Sequence, residues 1–171
     1  LGRLNAGQDS AGASIGRPAG FAVACAVDPT RQDLALEAER LRAKLEAGAQ
    51  VVMTQPIFDP ETWWRFLEVY GVDSLPVPVM AGILPLQSTR HAEFLHNEVP
   101  GITLTDDARE RMRQAGPEGR REGVLMAQEL LTALQPHVQG VYLMPSFGRY
   151  EVAAEVLQVL QREPAGVASV T

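Results

Sequence analysis

The stretch VVMTQPIFDPETWW, Val51 to Trp64, decides which kind of sheet this chain builds. Three apolar residues are followed by Thr54 and Gln55, and then by a proline and a helix start. A strand that is apolar at every position is typical of a parallel sheet covered on both faces by helices. Such sheets carry their functional groups at the carboxyl ends of the strands. The sequence therefore predicts that Gln55 follows a buried strand at the working end of the sheet.

Four β-like runs occur along the chain, and amphipathic helices separate them. The runs are Phe21–Val27, Val51–Thr54, Val77–Leu84 and Gly140–Met144. Apolar spacing and capping residues predict helices over Asp33–Ala47, from Asp59, from Ser88, from Thr105, over Gly119–Gln135 and from about Arg149. Strands and helices alternating in this order form right-handed β–α units. Four units predict a single α/β domain, residues 1–171, with the architecture of half a (β/α)8 barrel, which typically takes ~250 residues. A doubly wound open sheet is the competitor, but no strand is followed by a glycine-rich phosphate-binding turn.

The composition is that of an ordinary globular protein, with 46% hydrophobic and 21% charged residues. A formal net charge of −6 argues against a nucleic-acid-binding surface, because such a surface requires clustered Lys and Arg. No apolar run approaches the ~20 residues of a membrane span, and no signal peptide is recognisable. The single cysteine, Cys25, fits a reducing compartment, so a cytoplasmic location is expected. The chain begins with Leu1 rather than Met, which suggests processing or a fragment.

Two polar side chains at predicted strand ends could bind a ligand. Gln55 offers one acceptor and two donors, which matches a ligand with an adjacent amide and ring nitrogen. Its alternative role is a hydrogen bond that clamps the loop to the backbone. Arg149 could grip a carboxylate through both arms of its guanidinium, or it could pair with Glu151 or Glu155 on the last helix. Spacing alone leaves both pairs of alternatives open.

Three charged residues, Glu37, Arg40 and Lys44, share one face of the helix that precedes Gln55. Intrahelical ion pairing explains this face simply, and a charged rim facing a phosphorylated cofactor is the alternative. Metal-ligand spacing is absent from the three histidines, His91, His96 and His137. No nucleophile–base set and no convincing pair of catalytic carboxylates is present. The spacing therefore predicts neither a catalytic residue nor a metal site.

Three stretches together resemble the methylenetetrahydrofolate reductase family. They are LRAKLEAGAQVVMTQPIFD (41–59), PVMAGILPLQSTRHAEFLHNEVPGI (78–102) and VYLMPSFGRYEVAAEVL (141–157). The specific part is K-x-x-A-G-A-x-x-x-x-T-Q-P-x-F-D followed at the right distance by G-I-L-P. The segment LNAGQDSAG (4–12) is similar to the bacterial type that is often fused behind a homocysteine methyltransferase domain. By this resemblance the chain is the C-terminal half of the barrel.

The resemblance implies a flavoprotein that reduces methylenetetrahydrofolate to methyltetrahydrofolate, in one-carbon and methionine metabolism. A nicotinamide cofactor would supply hydride to FAD, and the sequence does not distinguish NADH from NADPH. The resemblance implies that Gln55 contacts the folate pterin, that Arg149 lies near the folate and that His91 is a further substrate-facing side chain.

The resemblance also implies that the helix before Gln55 contacts FAD. Lys44 would reach the FAD phosphates, with Arg40 and Glu37 on the same cofactor-facing side. Two positions depart from the family pattern, because Asp28 replaces an aromatic residue and Ala43 replaces a second basic one.

In the family, the general acid and the aspartate near the flavin ring belong to the first four strands. The chain alone is therefore expected to be inactive, with the missing half barrel supplied in cis or by another chain. The alternative is a non-catalytic remnant or an interaction module that requires a partner. The two free sheet edges of a half barrel also favour homo-oligomers.

Overall fold

The computed structural model describes residues 1–161, in which four parallel strands form one sheet. The strands are β1 (Ala24–Val27), β2 (Val51–Ile57), β3 (Val79–Ile83) and β4 (Gly140–Leu143). They lie side by side in chain order, and every neighbouring pair is parallel. Each connection between strands carries at least one helix. The predicted α/β half barrel is therefore confirmed.

The described part of the chain contains seven α-helices. They are α1 (Gly2–Asn5), α2 (Leu34–Glu46), α3 (Pro60–Tyr70), α4 (Thr89–Glu98), α5 (Asp106–Ala115), α6 (Gly119–Leu134) and α7 (Tyr150–Gln161). Side chains cap four of them by accepting a backbone N–H three residues later: Asp33, Asp59, Ser88 and Thr105. Each cap satisfies a donor that the first helical turn leaves unpaired. The helix starts predicted at these residues are confirmed.

The core lies between the sheet and four of the helices, α2, α3, α6 and α7. Its most deeply buried side chains include Leu41, Phe66, Leu134 and Val156, each with no exposed surface. Trp63, predicted to pack in the core, is 1% exposed. A second apolar cluster holds α4 and α5 against the segment that follows β3.

The sheet differs from the prediction in its covering. The sequence predicted burial on both faces, but Ala24 and Ala26 of β1 are exposed, and Met53 and Met80 are only half-buried. Within residues 1–161 the helices cover one face alone. The other face corresponds to the inside of a barrel, and its apolar side chains explain why the strands are apolar at every position.

The strand boundaries also differ, most importantly in β2. This strand continues through Ile57, so Gln55 lies inside it rather than after its end. Met53 pairs with Met80 but Pro56 pairs with Gly82, so β2 carries one extra residue at this point. This β-bulge, residues 54–55, locally interrupts the ladder, and bulges are where a strand can accommodate a proline.

Helix α6 approaches the chain after β3 very closely. A Cβ added at Gly123 would lie 1.9 Å from the carbonyl oxygen of Leu86, a backbone atom. Only glycine fits here, because the helix backbone itself contacts the loop.

No helix among residues 1–161 is long and apolar enough to cross a lipid bilayer.

Candidate binding site at the carboxyl ends of the strands

An open cleft of about 390 Å³ lies at the carboxyl ends of β1 and β2. Its polar lining consists of Asp28, Arg31, Glu37, Arg40, Lys44 and Gln55. Four of these six, Glu37, Arg40, Lys44 and Gln55, are residues that the sequence selected as candidates. We call this the strand-end cleft. The fold therefore joins the proposed cofactor-facing side of α2 to the bulge of β2.

Glu37 is the buried anchor of the strand-end cleft, with 4% of its surface exposed. One carboxylate oxygen accepts the backbone N–H of Asp28 at 3.1 Å. The other lies 3.2 Å from Arg31 Nε and 3.7 Å from Arg40. The intrahelical ion pair that the spacing allowed is therefore present between Glu37 and Arg40. The two arginines compensate the charge of a carboxylate that would otherwise be costly to bury.

Three cations border the strand-end cleft. Lys44 Nζ donates a 2.7 Å hydrogen bond to the carbonyl oxygen of Ala26, which leaves its other N–H donors available. The side chains of Arg31 and Arg40 are 51% and 46% exposed. Arg31 was missed by the sequence reasoning, because it lies in the loop before α2 and shares no helical spacing with Glu37. The available signal was its position three residues after Asp28. In the structure the Asp28 carboxylate lies 3.6 Å from Arg31 Nε.

Asp28 shapes the loop that closes the cleft after β1. Its Oδ1 accepts the backbone N–H of Thr30 at 3.0 Å and the Thr30 hydroxyl at 2.7 Å. This is an Asx-turn, in which a short carboxylate replaces a backbone acceptor. The residue that departs from the family pattern thus has a local structural role.

Gln55 is half-buried and faces the strand-end cleft. Its side chain makes no hydrogen bond to any other residue in the range 1–161, so the loop-clamping alternative is not observed. The backbone just before it is firmly held instead. The Thr54 hydroxyl accepts the Gly82 N–H at 2.9 Å, and the Thr54 carbonyl accepts the Tyr142 hydroxyl.

His91 lies at the carboxyl ends of β3 and β4, outside the residues that line the cleft. It is 7% exposed. Its Nδ1 accepts the Gln87 N–H at 3.2 Å, and its Nε2 lies 3.2 Å from Ser146 Oγ. An accepting Nδ1 assigns the ring proton to Nε2, which then donates to Ser146. Burial lowers the pKa of His91, so the neutral form is favoured.

The loop after β4, residues 145–149, carries an unusual aromatic residue. Phe147 has φ 61°, and its side chain is 76% exposed. A bulky residue rarely adopts this left-handed conformation. Its ring centroid lies 5.4 Å from that of His91, so the buried imidazole packs against the aromatic residue of this loop.

Arg149 is exposed at the end of the same loop. The sequence also allowed Arg149 to form an ion pair with Glu151 or Glu155, but Glu155 pairs with Arg120. Among the described residues, no carboxylate lies within ion-pairing distance of the Arg149 guanidinium. The site thus has two parts: the strand-end cleft, and the pair of loops after β3 and β4 that His91 connects.

Sequence reasoning missed Tyr142, the residue of β4 whose hydroxyl reaches the Thr54 carbonyl of β2. A tyrosine inside the apolar run GVYLM needs a partner for its hydroxyl, and that requirement was the available signal.

No group of three His, Cys, Asp or Glu side chains within residues 1–161 is arranged to hold a metal ion.

Comparison with known proteins gives two findings. A family model described as methylenetetrahydrofolate reductase matches residues 15–160. Among solved structures, the chain is similar to an uncharacterized protein from Clostridium thermocellum that binds two copies of 5-methyl-5,6,7,8-tetrahydrofolic acid. The TM-score is 0.54 at 17% sequence identity, and the match covers 80% of this chain and 51% of that one. At this identity the likeness shows the fold alone, and the chain spans about half the length of that structure.

Proposed function

The chain belongs to the methylenetetrahydrofolate reductase family, and we propose that it is the C-terminal half of the catalytic barrel of such a reductase. The complete protein would reduce 5,10-methylenetetrahydrofolate to 5-methyltetrahydrofolate with FAD and NADH or NADPH. The observation that carries this proposal is the strand-end cleft, which joins Gln55 to Lys44 and Arg40. The lone Cys25 supports a reducing compartment, the cytoplasm, as its location.

Gln55 would bind the pterin ring of the folate. Its amide has one acceptor and two donors, and no described residue uses them. A pterin offers the complementary amide and ring nitrogens in one plane. Because the backbone at Thr54 is held on two sides, the amide would meet the ligand with little further ordering.

The cations of the cleft fit the phosphates of FAD. The charge of Glu37 is already offset by Arg31 and Arg40, so Lys44 adds positive charge that no carboxylate in contact with it compensates. Guanidinium and ammonium groups are the usual partners of phosphate oxygens. When bound, FAD would supply the hydride-accepting ring. Lys44, Arg40 and Arg31 would bind and orient its phosphates.

Arg149 would bind a carboxylate of the folate tail. Its guanidinium is exposed at the mouth of the half barrel, and no described carboxylate pairs with it. His91 would act indirectly, through the loop after β4, because both of its ring nitrogens are occupied by Gln87 and Ser146. We therefore propose that it supports the substrate-facing loop.

The remainder of the barrel would come from the same polypeptide or from another chain. The sheet has free edges at β1 and β4 within the described residues, and its inner face is partly exposed. Edges and apolar faces of this kind are normally paired or covered. The missing half would also bring the general acid, so no catalytic residue is assigned to this chain.

The same free edges favour a second candidate, a non-catalytic half barrel that serves as an interaction module. It would keep the architecture and bind a partner chain, or a second copy of itself, without flavin. The strand-end cleft favours the reductase, because an interaction module needs no free amide beside three cations.

One experiment separates the two candidates. The protein would be expressed from its whole reading frame, and its flavin content and reduction by NADH and NADPH would be followed by stopped-flow absorbance. The reductase is expected to retain FAD, to bleach with reduced nicotinamide and to reoxidise with methylenetetrahydrofolate. Purification without flavin, combined with no binding of added FAD, would overturn the proposed function and support the module.

A further inference from the structure

We propose that Tyr142 is a positioning residue, whose hydroxyl holds the bulge of β2 so that the amide of Gln55 faces the strand-end cleft. The proposal rests on the function proposed above for Gln55. It assigns to Tyr142 no contact with the substrate.

The bulge is the part of β2 whose backbone the ladder leaves least restrained. Residues 54 and 55 of β2 lie opposite the single residue Ala81 of β3. A bulge leaves its extra residue without regular ladder partners and redirects its side chains. Without further support, the peptide groups at Thr54 and Gln55 could adopt other orientations. A one-residue change of alternation would move the Gln55 side chain to the other face of the sheet.

Two hydrogen bonds supply that support from different strands. The Gly82 N–H donates to the Thr54 hydroxyl at 2.9 Å, which closes the gap between β2 and β3. The Tyr142 hydroxyl donates to the Thr54 carbonyl from β4, two strands away. Because this carbonyl belongs to the peptide group that joins Thr54 to Gln55, its orientation determines that of the Gln55 backbone N–H.

Tyr142 reaches the bulge only because β3 carries glycine at the crossing point. Gly82 pairs with Tyr142 in the sheet. A Cβ added at Gly82 would lie 2.7 Å from the Tyr142 hydroxyl oxygen and 2.8 Å from the ring carbon that bears it. Any side chain at this position would therefore displace the ring. Burial raises the pKa of Tyr142, so the hydroxyl stays protonated and remains a donor.

The first test is a double-mutant cycle in the protein expressed from its whole reading frame. The dissociation constant of 5-methyltetrahydrofolate is measured for wild type, Tyr142→Phe, Gln55→Ala and the double variant. Loss of the single hydrogen bond is expected to weaken binding about fivefold. In the Gln55→Ala background the same change should have little further effect, because the amide it positions is gone. FAD affinity should not change.

A second measurement tests the geometry without folate. The ¹⁵N–¹H signals of the Gln55 backbone and side-chain amides are compared between wild type and Tyr142→Phe. We expect both sets to shift in Tyr142→Phe. Gly82→Ala should shift them too, because its methyl group would meet the Tyr142 ring and would lie 3.1 Å from the Thr54 carbonyl oxygen. Tyr70→Phe is the matched control, because Tyr70 lies at the end of α3 and packs against Phe66 of that helix and against Arg42 of α2. It should leave the Gln55 signals in place.

The outcomes separate this inference from the proposed function. If Gln55→Ala leaves folate affinity unchanged, or if wild type binds no folate, the folate role fails and the amide signals alone decide the role of Tyr142. If Gln55→Ala weakens binding but Tyr142→Phe changes neither affinity nor the Gln55 signals, the positioning role is overturned. The positioning role is also overturned if Tyr142→Phe lowers folate affinity equally in the wild-type and Gln55→Ala backgrounds.

Discussion

The ammonium group of Lys44 lies 2.7 Å from the carbonyl oxygen of Ala26, so α2 is tied to the end of β1 beside the strand-end cleft. Lys44 is also the only lysine of the chain. Within residues 1–171 an amine-reactive reagent therefore reports on this one side chain.

Lys44→Ala is expected to weaken FAD binding by about tenfold, because a hydrogen bond to a charged group is worth ~1.5–3 kcal/mol. Flavin retained after dilution measures the effect. Arg42→Ala is the control, since Arg42 lies on the same helix but donates to the Tyr70 carbonyl and packs on its ring. In wild type, FAD should also protect Lys44 from labelling. Unchanged flavin content in Lys44→Ala would remove this residue from the cofactor site.

Gln55→Ala should lower folate turnover about tenfold and change the reductive half-reaction with NADH or NADPH less. The physical reason is that the alanine offers the pterin no donor or acceptor, whereas flavin reduction does not need the pterin. Stopped-flow bleaching and reoxidation separate the two half-reactions. Gln50→Ala is the matched control at the opposite end of β2, where the amide accepts the Val23 N–H. Equal losses in both half-reactions would count against a pterin role.

The chain Leu1–Thr171 alone is expected to show no NADH or NADPH oxidation with added FAD and menadione. The reason is that the family resemblance assigns the general acid and the flavin-tuning aspartate to strands outside this chain. Absorbance at 340 nm follows the reaction, and a complete family member serves as the positive control. Measurable turnover by the isolated chain would contradict the assignment.

The stability of the protein should fall as the pH drops below about 6.5, in part because of His91. Burial lowers the pKa of His91 in the folded state, so between its folded and unfolded pKa values the unfolded chain binds more protons. The free energy of unfolding therefore rises with pH across this window and levels off above it. Urea titrations at several pH values should show a weaker pH dependence in His91→Gln. His137→Gln, at an exposed position, is the control, and an unchanged slope in His91→Gln would refute the prediction.

Gly123→Ala should destabilise the fold by ~3 kcal/mol, because the new methyl group would overlap the Leu86 carbonyl and neither backbone can retreat easily. Thermal or urea unfolding measures the loss. Gly20→Ala is the control, since nothing lies within 4 Å of a Cβ at that position. Similar stabilities of the two variants would show that α6 does not contact the loop as described.

The candidate residues were predictable to different degrees. Glu37, Arg40 and Lys44 were found because helical spacing places them on one face, which is a local property. Gln55 was found by its place near a strand end, although the strand extends two residues beyond it. Arg31 and Phe147 were missed, because loop residues carry no periodic signal. The pairing of Arg149 was left open by the sequence, and only the structure shows Glu155 in contact with Arg120 instead.

The parallel β–α units, the helix caps and the family could all be predicted from the amino-acid sequence, since each depends on patterns within continuous segments of the chain. The tertiary structure alone decided that β2 bulges at residues 54–55, and that one face of the sheet is left open. It also decided that the hydroxyl of Tyr142 meets Thr54 across 88 residues of chain. Such a contact follows from strand register and from the space left at Gly82, and neither is encoded in any local pattern.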